Sequence, residues 1–489
     1  MKTPFISSAL GIILLAFGGI ILLPAAVAVI DHDYRSTTPF LIASCTSLTF
    51  GLICHWHGRF CRNFDTMRRT EGLLIVTLTW IVAAAIGAIP YVFFGLNPLD
   101  AYFEAVSGFT TTGATILIDF SLYPKSFFFW RSLSQWLGGM GIIVLFVAIL
   151  PQFGVAGRKI FFAEAPGPTE EKITPRIAHT AKALWLIYLL LTLLEIVCLT
   201  AAGMPLFDAV CNSFSTMAAG GFSPHPQSIM GYQSSAITWI VTIFMFLSGA
   251  NFALQYKLFL RGKSRPLFTN DEFQFYLGIV VVSSLFLSII LYSLQGGTAA
   301  NSIRDGLFQI VSIITTTGFS SVDFALWTVA AQTTLFAMMY VGACAGSAGG
   351  GIKVVRILFA FKFLKREIDQ IVHPRAILPI KIDRVTVQDD VQRQMLSFLL
   401  FYICLMIGSG LVVTMIEQDA LIGFVGTAAT IGNIGPGFGE IGPMGTFGNL
   451  HPLTKAIFIL DMIVGRLELI PFLAMLCPEF WTFSRNDQR

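Results

Sequence analysis

The stretch SGFTTTGAT, residues 107–115, follows an apolar segment and recurs in altered form three times along the chain. The later copies read MAAGGFS at 217–223, ITTTGFS at 314–320 and IGNIGPG at 431–437. Aligned on one glycine each, the copies return roughly every hundred residues, a pattern that indicates an internally repeated architecture. We therefore expect four copies of one structural unit, whose aligned glycines are Gly113, Gly221, Gly318 and Gly435.

The composition of the chain indicates the class of protein. Of the 489 residues, 55% are hydrophobic and only 12% are charged, whereas a soluble domain carries about 25% charged residues. So little charge could not cover a large core in water. We therefore predict an all-α integral membrane protein rather than a soluble enzyme, and the net charge of +3 does not indicate a nucleic-acid partner.

Ten apolar runs have about the 20 residues that a membrane helix needs. They are expected at 5–30, 38–55, 72–94, 127–151, 182–203, 235–260, 274–295, 325–361, 394–417 and 453–477. Shorter, glycine-rich segments follow the third, fifth, seventh and ninth runs and cannot span alone. Because each unit with two spanning helices returns the chain to the same side, the sequence predicts four parallel helix–pore loop–helix repeats around a pseudo-fourfold pore axis, plus two extra N-terminal helices.

The orientation of these helices follows from the basic residues, which collect in the linkers after the second, fourth, sixth and eighth runs. Those linkers contain Arg59, Arg62, Arg68, Arg69, Arg158, Lys159, Lys172, Arg176, Lys257, Arg261, Lys263, Arg265, Lys362, Lys365, Arg366, Arg375, Lys381 and Arg384. Linkers rich in Lys and Arg lie in the cytoplasm. The four short segments are therefore expected to enter the membrane from the outside.

The short segments carry residues suited to binding a dehydrated cation. Each glycine follows an acid expected to cap a short helix, and the C-terminal end of such a helix carries partial negative charge. Glycine can turn a carbonyl group toward an axis, and rings of carbonyl oxygens replace the water shell of potassium. The acids are Asp100, Asp208, Asp305 and Asp419. The predicted filter residues are Thr111, Thr112, Gly113, Ala219, Gly220, Gly221, Thr316, Thr317, Gly318, Asn433, Ile434 and Gly435.

These motifs have an alternative interpretation, because glycine and threonine are also common packing residues of membrane helices. A single copy would favour packing. Four copies at a nearly constant period, each after an apolar run and an acid, favour the filter.

Taken together, the motifs resemble the TrkH/TrkG/KtrB superfamily of potassium-uptake proteins, and most closely its TrkH branch. The resemblance covers essentially the whole chain. It is carried by the four repeats and by GGMGIIVLFVAILP (138–151), GACAGSAGGGIKVVRI (342–357) and GRLE (465–468). In that superfamily the repeat glycine is important for potassium selectivity, and sodium-selecting relatives often have serine where this chain has Gly113. The resemblance therefore implies potassium as substrate, with rubidium entering readily and sodium less so.

The resemblance also implies partners. It implies a homodimer with one pore per subunit in the bacterial inner membrane. A cytosolic nucleotide-binding, TrkA-like regulatory ring is expected to gate the pore. We expect no cofactor in this chain, since any nucleotide would bind the partner.

A second cluster of glycines interrupts the eighth apolar run, and such a density of glycine breaks a helix. In the superfamily this segment matches an intramembrane loop that blocks the pore. The predicted gate residues are Gly346, Ser347, Ala348, Gly349, Gly350, Gly351, Lys353 and Arg466. Close helix packing is one alternative. A phosphate-binding loop is another, but such a loop needs Lys directly after its last glycine, and Ile352 intervenes here.

Arg466 lies in the middle of the last apolar run, where a charge is costly and usually functional. The resemblance implies that Arg466 faces the pore below the filter and limits ion flow. The alternative is a structural bond to another helix, with Glu195 or an exposed loop carbonyl as the partner. Neither Asp461 nor Glu468 shares the helical face of Arg466.

The predicted repeats and the two N-terminal helices divide the chain into five regions. They are an N-terminal two-helix hairpin (1–70), pore repeat 1 (71–178), pore repeat 2 (179–268), pore repeat 3 with the gating loop (269–390) and pore repeat 4 (391–489). A signal peptide is the alternative for the N-terminus, but the run at 5–30 is longer than a signal-peptide core of about 7–15 residues.

Other interpretations of the sequence compete with gated potassium uptake, but a purely structural protein would not need four polar filter loops. An intramembrane serine hydrolase would need a base near Ser248 or Ser347, and all seven histidines lie in loops or at helix ends. A metal site at Cys54, His55, His57 and Cys61 does not fit a standard zinc spacing. A proton- or sodium-coupled potassium symporter, with Glu195 as a coupling residue, stays open. We predict that the protein is not an enzyme.

Overall fold

The computed structural model describes residues 3–58, 69–141, 177–467, 475, 477 and 478. Its longer helices are α1 (Thr3–Ile30), α2 (Thr37–Gly58), α3 (Arg69–Phe93), α4 (Pro98–Phe109), α5 (Lys125–Gly139), α6 (Ile177–Ala201), α7 (Leu206–Ala218), α8 (Ser235–Ser248), α9 (Phe252–Phe259), α10 (Arg265–Thr269), α11 (Asp271–Leu294), α12 (Ala299–Ile314), α13 (Val329–Met338), α14 (Val354–Val372), α15 (Asp389–Glu417), α16 (Thr427–Ile431) and α17 (Pro452–Arg466). A π-helical turn, Ile422–Gly426, leads into α16. Two short strands, β1 (Lys381–Ile382) and β2 (Val385–Thr386), form an antiparallel hairpin.

Helices α1 and α2 lie against each other, and small residues let their backbones approach closely. A Cβ atom on Gly11 would lie 2.5 Å from the backbone nitrogen of His55. The hydroxyl groups of Ser44 and Ser47 donate hydrogen bonds of 2.7 Å to the carbonyl oxygens of Gly18 and Leu14. Small residues and such polar contacts are how membrane helices associate where lipid offers no hydrophobic driving force.

Within the described residues, six helices are long and apolar enough to cross a membrane, and the bent pair α8–α9 raises that number to seven. This is fewer than the ten predicted runs for two reasons. The fourth and tenth predicted runs extend past Gly139 and Arg466 into residues outside the described part of the chain. The eighth run is divided into α13 and α14, as the cluster of glycines predicted.

The sixth predicted run, 235–260, is not one continuous helix. Helix α8 ends at Ser248, and α9 leaves it at an angle of 108°. Asn251 begins α9, because its side-chain oxygen accepts hydrogen bonds from the backbone nitrogens of Ala253 and Leu254 at 2.7 and 3.4 Å. Asparagine is among the strongest residues for starting a helix, and this local signal overrides the apolar pattern.

The four short helices α4, α7, α12 and α16 precede the four repeated motifs, as predicted, but the expected role of the acids is mostly wrong. Only Asp419 accepts hydrogen bonds from backbone groups ahead of a short helix, from the nitrogens of Leu421 and Ile422. Asp100 and Asp208 lie in the first turns of α4 and α7. Asp305 lies inside α12 and pairs with its neighbour Arg304. Asn97 and Thr298 cap α4 and α12 instead, since each has a side-chain oxygen placed before the first turn.

Candidate functional site

The four repeated motifs share one backbone conformation. A residue with positive φ follows each short helix. Its backbone nitrogen donates to the carbonyl oxygen three residues earlier, and the next nitrogen donates to the carbonyl oxygen five residues before itself, as in a Schellman motif. The positive-φ residues are Thr111 (56°), Ala219 (55°), Thr316 (58°) and Asn433 (53°). The second of the repeated bonds runs from Thr112 to Ser107, Gly220 to Ser215, Thr317 to Ser312 and Ile434 to Ala429. Threonine rarely adopts this conformation, so the surrounding contacts impose it on Thr111 and Thr316.

We define loops 1, 2, 3 and 4 as residues 111–113, 219–221, 316–318 and 433–435. The glycine that ends each loop has φ between 77° and 100°, a region that side chains disfavour. A Cβ atom on that glycine would collide with the carbonyl oxygen of the residue before the glycine of the next loop. The distance from the added Cβ to the carbonyl oxygen is 2.1 Å from Gly113 to Gly220, 2.1 Å from Gly221 to Thr317, 2.0 Å from Gly318 to Ile434 and 2.6 Å from Gly435 to Thr112. The contacts therefore run from loop 1 to 2, 2 to 3, 3 to 4 and 4 to 1, and close a cycle.

Hydroxyl groups support two of the loops from within. Thr110 and Thr112 share a hydrogen bond of 2.7 Å, and Thr315 and Thr317 share one of 2.8 Å. Loop 2 has no such pair, because Ala218 and Gly220 take the places of the two paired threonines.

A side chain that the sequence analysis missed supports loop 2 from outside it. The amide of Gln135, on α5, donates to the carbonyl oxygen of Gly220 at 2.7 Å, and its oxygen accepts from the nitrogen of Phe222 at 3.1 Å. Loop 4 is tied to loop 1 in a similar way, since the Asn433 side chain donates to the hydroxyl of Thr112 at 2.8 Å. All twelve predicted filter residues therefore lie in one connected group of loops.

A cavity of about 60 Å³ adjoins the cycle of glycines. All four glycines line it, and Arg131 lies in its wall. Holding one water takes about 10–15 Å³ of such space, so the cavity has room for about four to six waters. The sequence analysis missed Arg131, although its charge inside the predicted run 127–151 gave the same signal that singled out Arg466.

The cluster of glycines in the interrupted eighth run forms the glycine-rich loop, 342–353, between α13 and α14. It contacts the break between α8 and α9. The nitrogen of Cys344 donates to the carbonyl oxygen of Gly249 at 3.0 Å, and the nitrogen of Phe252 donates to that of Gly346 at 3.0 Å. The loop also reaches loop 3, where the nitrogen of Gly350 donates to the hydroxyl of Thr316 at 2.7 Å.

Two charged side chains bond to the glycine-rich loop. One is Glu272 of α11, and the other is Lys353 of the loop itself. The buried carboxylate of Glu272 accepts a hydrogen bond of 2.6 Å from the nitrogen of Ala345. The Lys353 ammonium group donates to the carbonyl oxygen of Gly349. Ser347, considered as a nucleophile, donates its hydroxyl to the carbonyl oxygen of Cys344 at 2.5 Å.

Arg466, at the end of α17, joins the glycine-rich loop to α5. Its guanidinium group donates to the carbonyl oxygen of Ala348 at 2.9 Å and to those of Gly138 and Gly139 at 2.6 and 3.2 Å. Of the two partners considered for it, the loop carbonyl is the one found here. The preceding residue places α17 against loop 4, because a Cβ on Gly465 would lie 3.0 Å from the side-chain oxygen of Asn433.

Two other predictions from the sequence concern Glu195 and a metal site. Glu195 is completely buried on α6. No group of three or more potential metal ligands occurs among the residues that the structure covers, and Cys61 lies outside them.

The comparison with known proteins is consistent along the whole chain. The profile of the TrkH family, described as "Cation transport protein", matches residues 55–479. The Trk system potassium uptake protein TrkH of Salmonella typhimurium is 39% identical over 485 residues, which cover 97% of this chain and 99% of the relative. The Trk system potassium uptake protein TrkG of Escherichia coli is 38% identical over 424 residues, covering 85% of this chain and 86% of the relative.

A solved structure agrees with the fold. The crystal structure of the potassium transporter TrkH from Vibrio parahaemolyticus matches with a TM-score of 0.88 and 36% identity, covering 98% of this chain and 100% of that one. The family consists of transport proteins, in agreement with the prediction that the chain is not an enzyme. The chain is a membrane protein and belongs to the TrkH family of cation transport proteins.

Proposed function

We propose that the protein is a potassium-uptake pore whose selectivity filter is formed by loops 1 to 4. The four repeats, 71–178, 179–268, 269–390 and 391–489, would surround a pseudo-fourfold axis in the inner membrane. The cyclic contact of the four glycines with the next loop is the single observation that carries this proposal. The names of the relatives from Salmonella typhimurium and Escherichia coli, which are potassium uptake proteins, support potassium as the substrate.

The chemistry of the loops suits a potassium ion. Four short helices end at the loops, and the C-terminal end of a helix carries partial negative charge that favours a cation. Backbone carbonyl oxygens of the loops replace the water shell of the ion. Because each loop has one positive-φ glycine and few ordered carbonyl groups, we expect potassium and rubidium to pass readily and sodium less well. The driving force is the membrane potential, about 2.3 kcal/mol per charge for each 100 mV.

The glycine-rich loop and Arg466 are proposed to form the gate. The loop bonds Thr316 of loop 3 directly, and Arg466 bonds the loop at Ala348, so both lie next to the ion path. Residues 346–351, Lys353 and Arg466 would hold the closed state until a cytosolic, nucleotide-binding, TrkA-like ring moves the loop. The protein would act as a homodimer with one pore per subunit.

A coupled carrier with the same filter is the alternative. The observation in its favour is Glu195, an acid that is 0% exposed in a membrane-spanning helix. Buried acids of this kind mark proton relays in transporters. Such a carrier would need a proton or sodium gradient, whereas the proposed pore needs only a potential.

Rubidium uptake into liposomes that hold the purified protein tests the proposal. Wild-type protein should take up rubidium under a membrane potential alone, and potassium should compete better than sodium. Gly113→Ser should abolish this preference for two reasons. The positive φ at residue 113 strains any residue with a side chain, and the added Cβ would lie 2.1 Å from the carbonyl oxygen of Gly220.

Gly95→Ser is the matched control. Gly95 has φ of 100° but no atom within 4 Å of an added Cβ, so this variant shares the backbone strain without the collision. Uptake that requires a proton or sodium gradient would favour the carrier. Wild-type uptake with equal competition by potassium and sodium would contradict the filter.

A further inference from the structure

Arg131, which lines the cavity beside the four glycines, belongs to a buried ion pair. The Nε atom of Arg131 lies 2.7 Å from Oε1 of Glu104, and the two side chains are 2% and 0% exposed. The pair is a direct, charge-assisted hydrogen bond, the stronger kind in proteins. It joins α5 to α4, the short helix that carries loop 1.

Both members of the pair also hold the chain that follows loop 1. Oε2 of Glu104 accepts a hydrogen bond of 3.0 Å from the nitrogen of Ile116. The hydroxyl of Thr115 donates to Glu104 at 3.1 Å and accepts from Nη2 of Arg131 at 3.1 Å. The carboxylate therefore has a partner on each oxygen.

The guanidinium group extends from loop 1 toward loop 2. Its Nη1 atom lies 3.5 Å from the carbonyl oxygen of Ser223, and its carbon lies 3.9 Å from the ring centroid of Phe222. The cavity beside the glycines is lined by Arg131, Phe222 and Ser223 together. A fixed positive charge thus lies in the wall of a cavity through which, on the proposed function, cations must pass.

The other repeats show that a charge is not needed to support a loop. The position nine residues before the loop glycine is Glu104 in the first repeat and Asn212, Gln309 and Gly426 in the others. Asn212 and Gln309 are fully buried and hydrogen-bond to Tyr232 and Ser321 through neutral amides. Because a buried ion pair is in itself weak evidence for stability, the charges in the first repeat call for a functional reason.

We propose that Arg131 and Glu104 make the cavity beside the four glycines selective for monovalent over divalent cations. Arg131 repels divalent cations, and Glu104 balances its charge so that monovalent cations still enter. A divalent ion feels twice the Coulomb repulsion of a monovalent one at the same distance. This inference rests on the proposed function, since it assumes that cations reach the loops through this cavity.

Removing either charge should have opposite consequences. Arg131→Gln leaves the carboxylate without its cation, so external barium should inhibit rubidium uptake at an about tenfold lower concentration. Glu104→Gln leaves the guanidinium unbalanced, so rubidium uptake should fall about tenfold without greater sensitivity to barium. The double variant restores neutrality and should recover most of the uptake that Glu104→Gln loses. Arg131→Lys keeps the charge and should keep the wild-type sensitivity to barium.

The experiment measures rubidium uptake and its inhibition by barium in liposomes with full-length protein, after size-exclusion chromatography has confirmed that each variant is intact. Lys455 and Asp100 form the matched control pair, because they join repeats 4 and 1 through an ion pair of 2.6 Å but do not line the cavity. Lys455→Gln should leave the barium sensitivity unchanged. If the single Arg131 and Glu104 variants lose uptake alike, the double variant loses as much, and barium sensitivity never changes, the pair is only structural and the inference is wrong.

The two proposals can fail separately. If wild-type protein takes up no rubidium, the pore itself is wrong and the valence proposal falls with it. If wild-type protein shows selective uptake while barium acts equally on all variants, only the valence proposal is overturned.

Discussion

Arg466 and Ala348 are joined by a hydrogen bond of 2.9 Å, from the guanidinium Nη1 to the carbonyl oxygen, which connects the end of α17 to the glycine-rich loop. The same side chain reaches the end of α5 through Gly138 and Gly139. One cation therefore connects the end of α17, the proposed gate and the end of α5, the helix that carries Gln135.

Replacing Arg466 with Gln should raise rubidium uptake in the absence of a cytosolic partner. The substitution removes a positive charge near the proposed ion path and weakens the bonds that hold the loop. We expect an increase of about tenfold or more, because one hydrogen bond to a charged group that favours the closed state contributes about 1.5–3 kcal/mol. Arg261→Gln, at a position that stacks on Tyr256, is the control and should have no effect. Uptake that falls in Arg466→Gln would show that the arginine supports conduction and not closure.

The contact between loop 3 and the glycine-rich loop gives a second test of the gate. Thr316→Val keeps the shape of the side chain but removes the hydroxyl that accepts from the nitrogen of Gly350. A buried N–H without a partner costs about 1–3 kcal/mol, so the closed arrangement should be destabilised and basal rubidium uptake should rise.

Thr111→Val is a closely matched control for that experiment. Thr111 occupies the same place in loop 1 with nearly the same φ, 56° against 58°. Its hydroxyl makes no hydrogen bond within the described residues. Equal increases in uptake for Thr111→Val and Thr316→Val would mean that the effect comes from the filter loops and not from the gate contact.

The sequence was sufficient to predict the four short helices and the glycine that follows each of them, because the backbone geometry of each motif requires both. The glycines at 113, 221, 318 and 435 all have positive φ, and the interruption of the eighth run lies where the glycines lie. These features depend on local chemistry, which is visible in a single stretch of chain.

Contacts between distant segments could not be predicted in the same way. Gln135 supports loop 2 from 85 residues away, and Arg131 and Glu104 meet only because α4 packs against α5. The bend at Asn251 was missed because the apolar pattern of 235–260 outweighs one asparagine when only periodicity is considered. The charge of Arg131 within an apolar run was the signal in the sequence that could have indicated its ion pair with Glu104.

Gln135 gives a prediction about selectivity. Gln135→Leu preserves much of the volume but removes both hydrogen bonds to loop 2, at the carbonyl oxygen of Gly220 and the nitrogen of Phe222. Loop 2 lacks the hydroxyl pair of loops 1 and 3, so it should depend on this amide most. We expect the preference for potassium over sodium, measured as competition with rubidium, to fall about fivefold to tenfold. Gln135→Glu can still accept from Phe222 but cannot donate to Gly220, and should be intermediate. A preference that is unchanged in Gln135→Leu would show that loop 2 does not need this support.

Glu272 gives the last prediction, on how the glycine-rich loop is held by the start of α11. Its carboxylate accepts from the nitrogen of Ala345, while the adjacent Asp271 donates its nitrogen to Asp383 of the β1–β2 turn at 2.6 Å. Glu272→Ala leaves the buried N–H of Ala345 without its acceptor, so basal uptake should rise about fivefold or more. Glu272→Gln retains an acceptor oxygen and should stay close to wild type. Rubidium uptake without a cytosolic partner should be measured for both variants. An equal rise in Glu272→Ala and Glu272→Gln would mean that the charge of Glu272, and not its hydrogen bond, holds the loop.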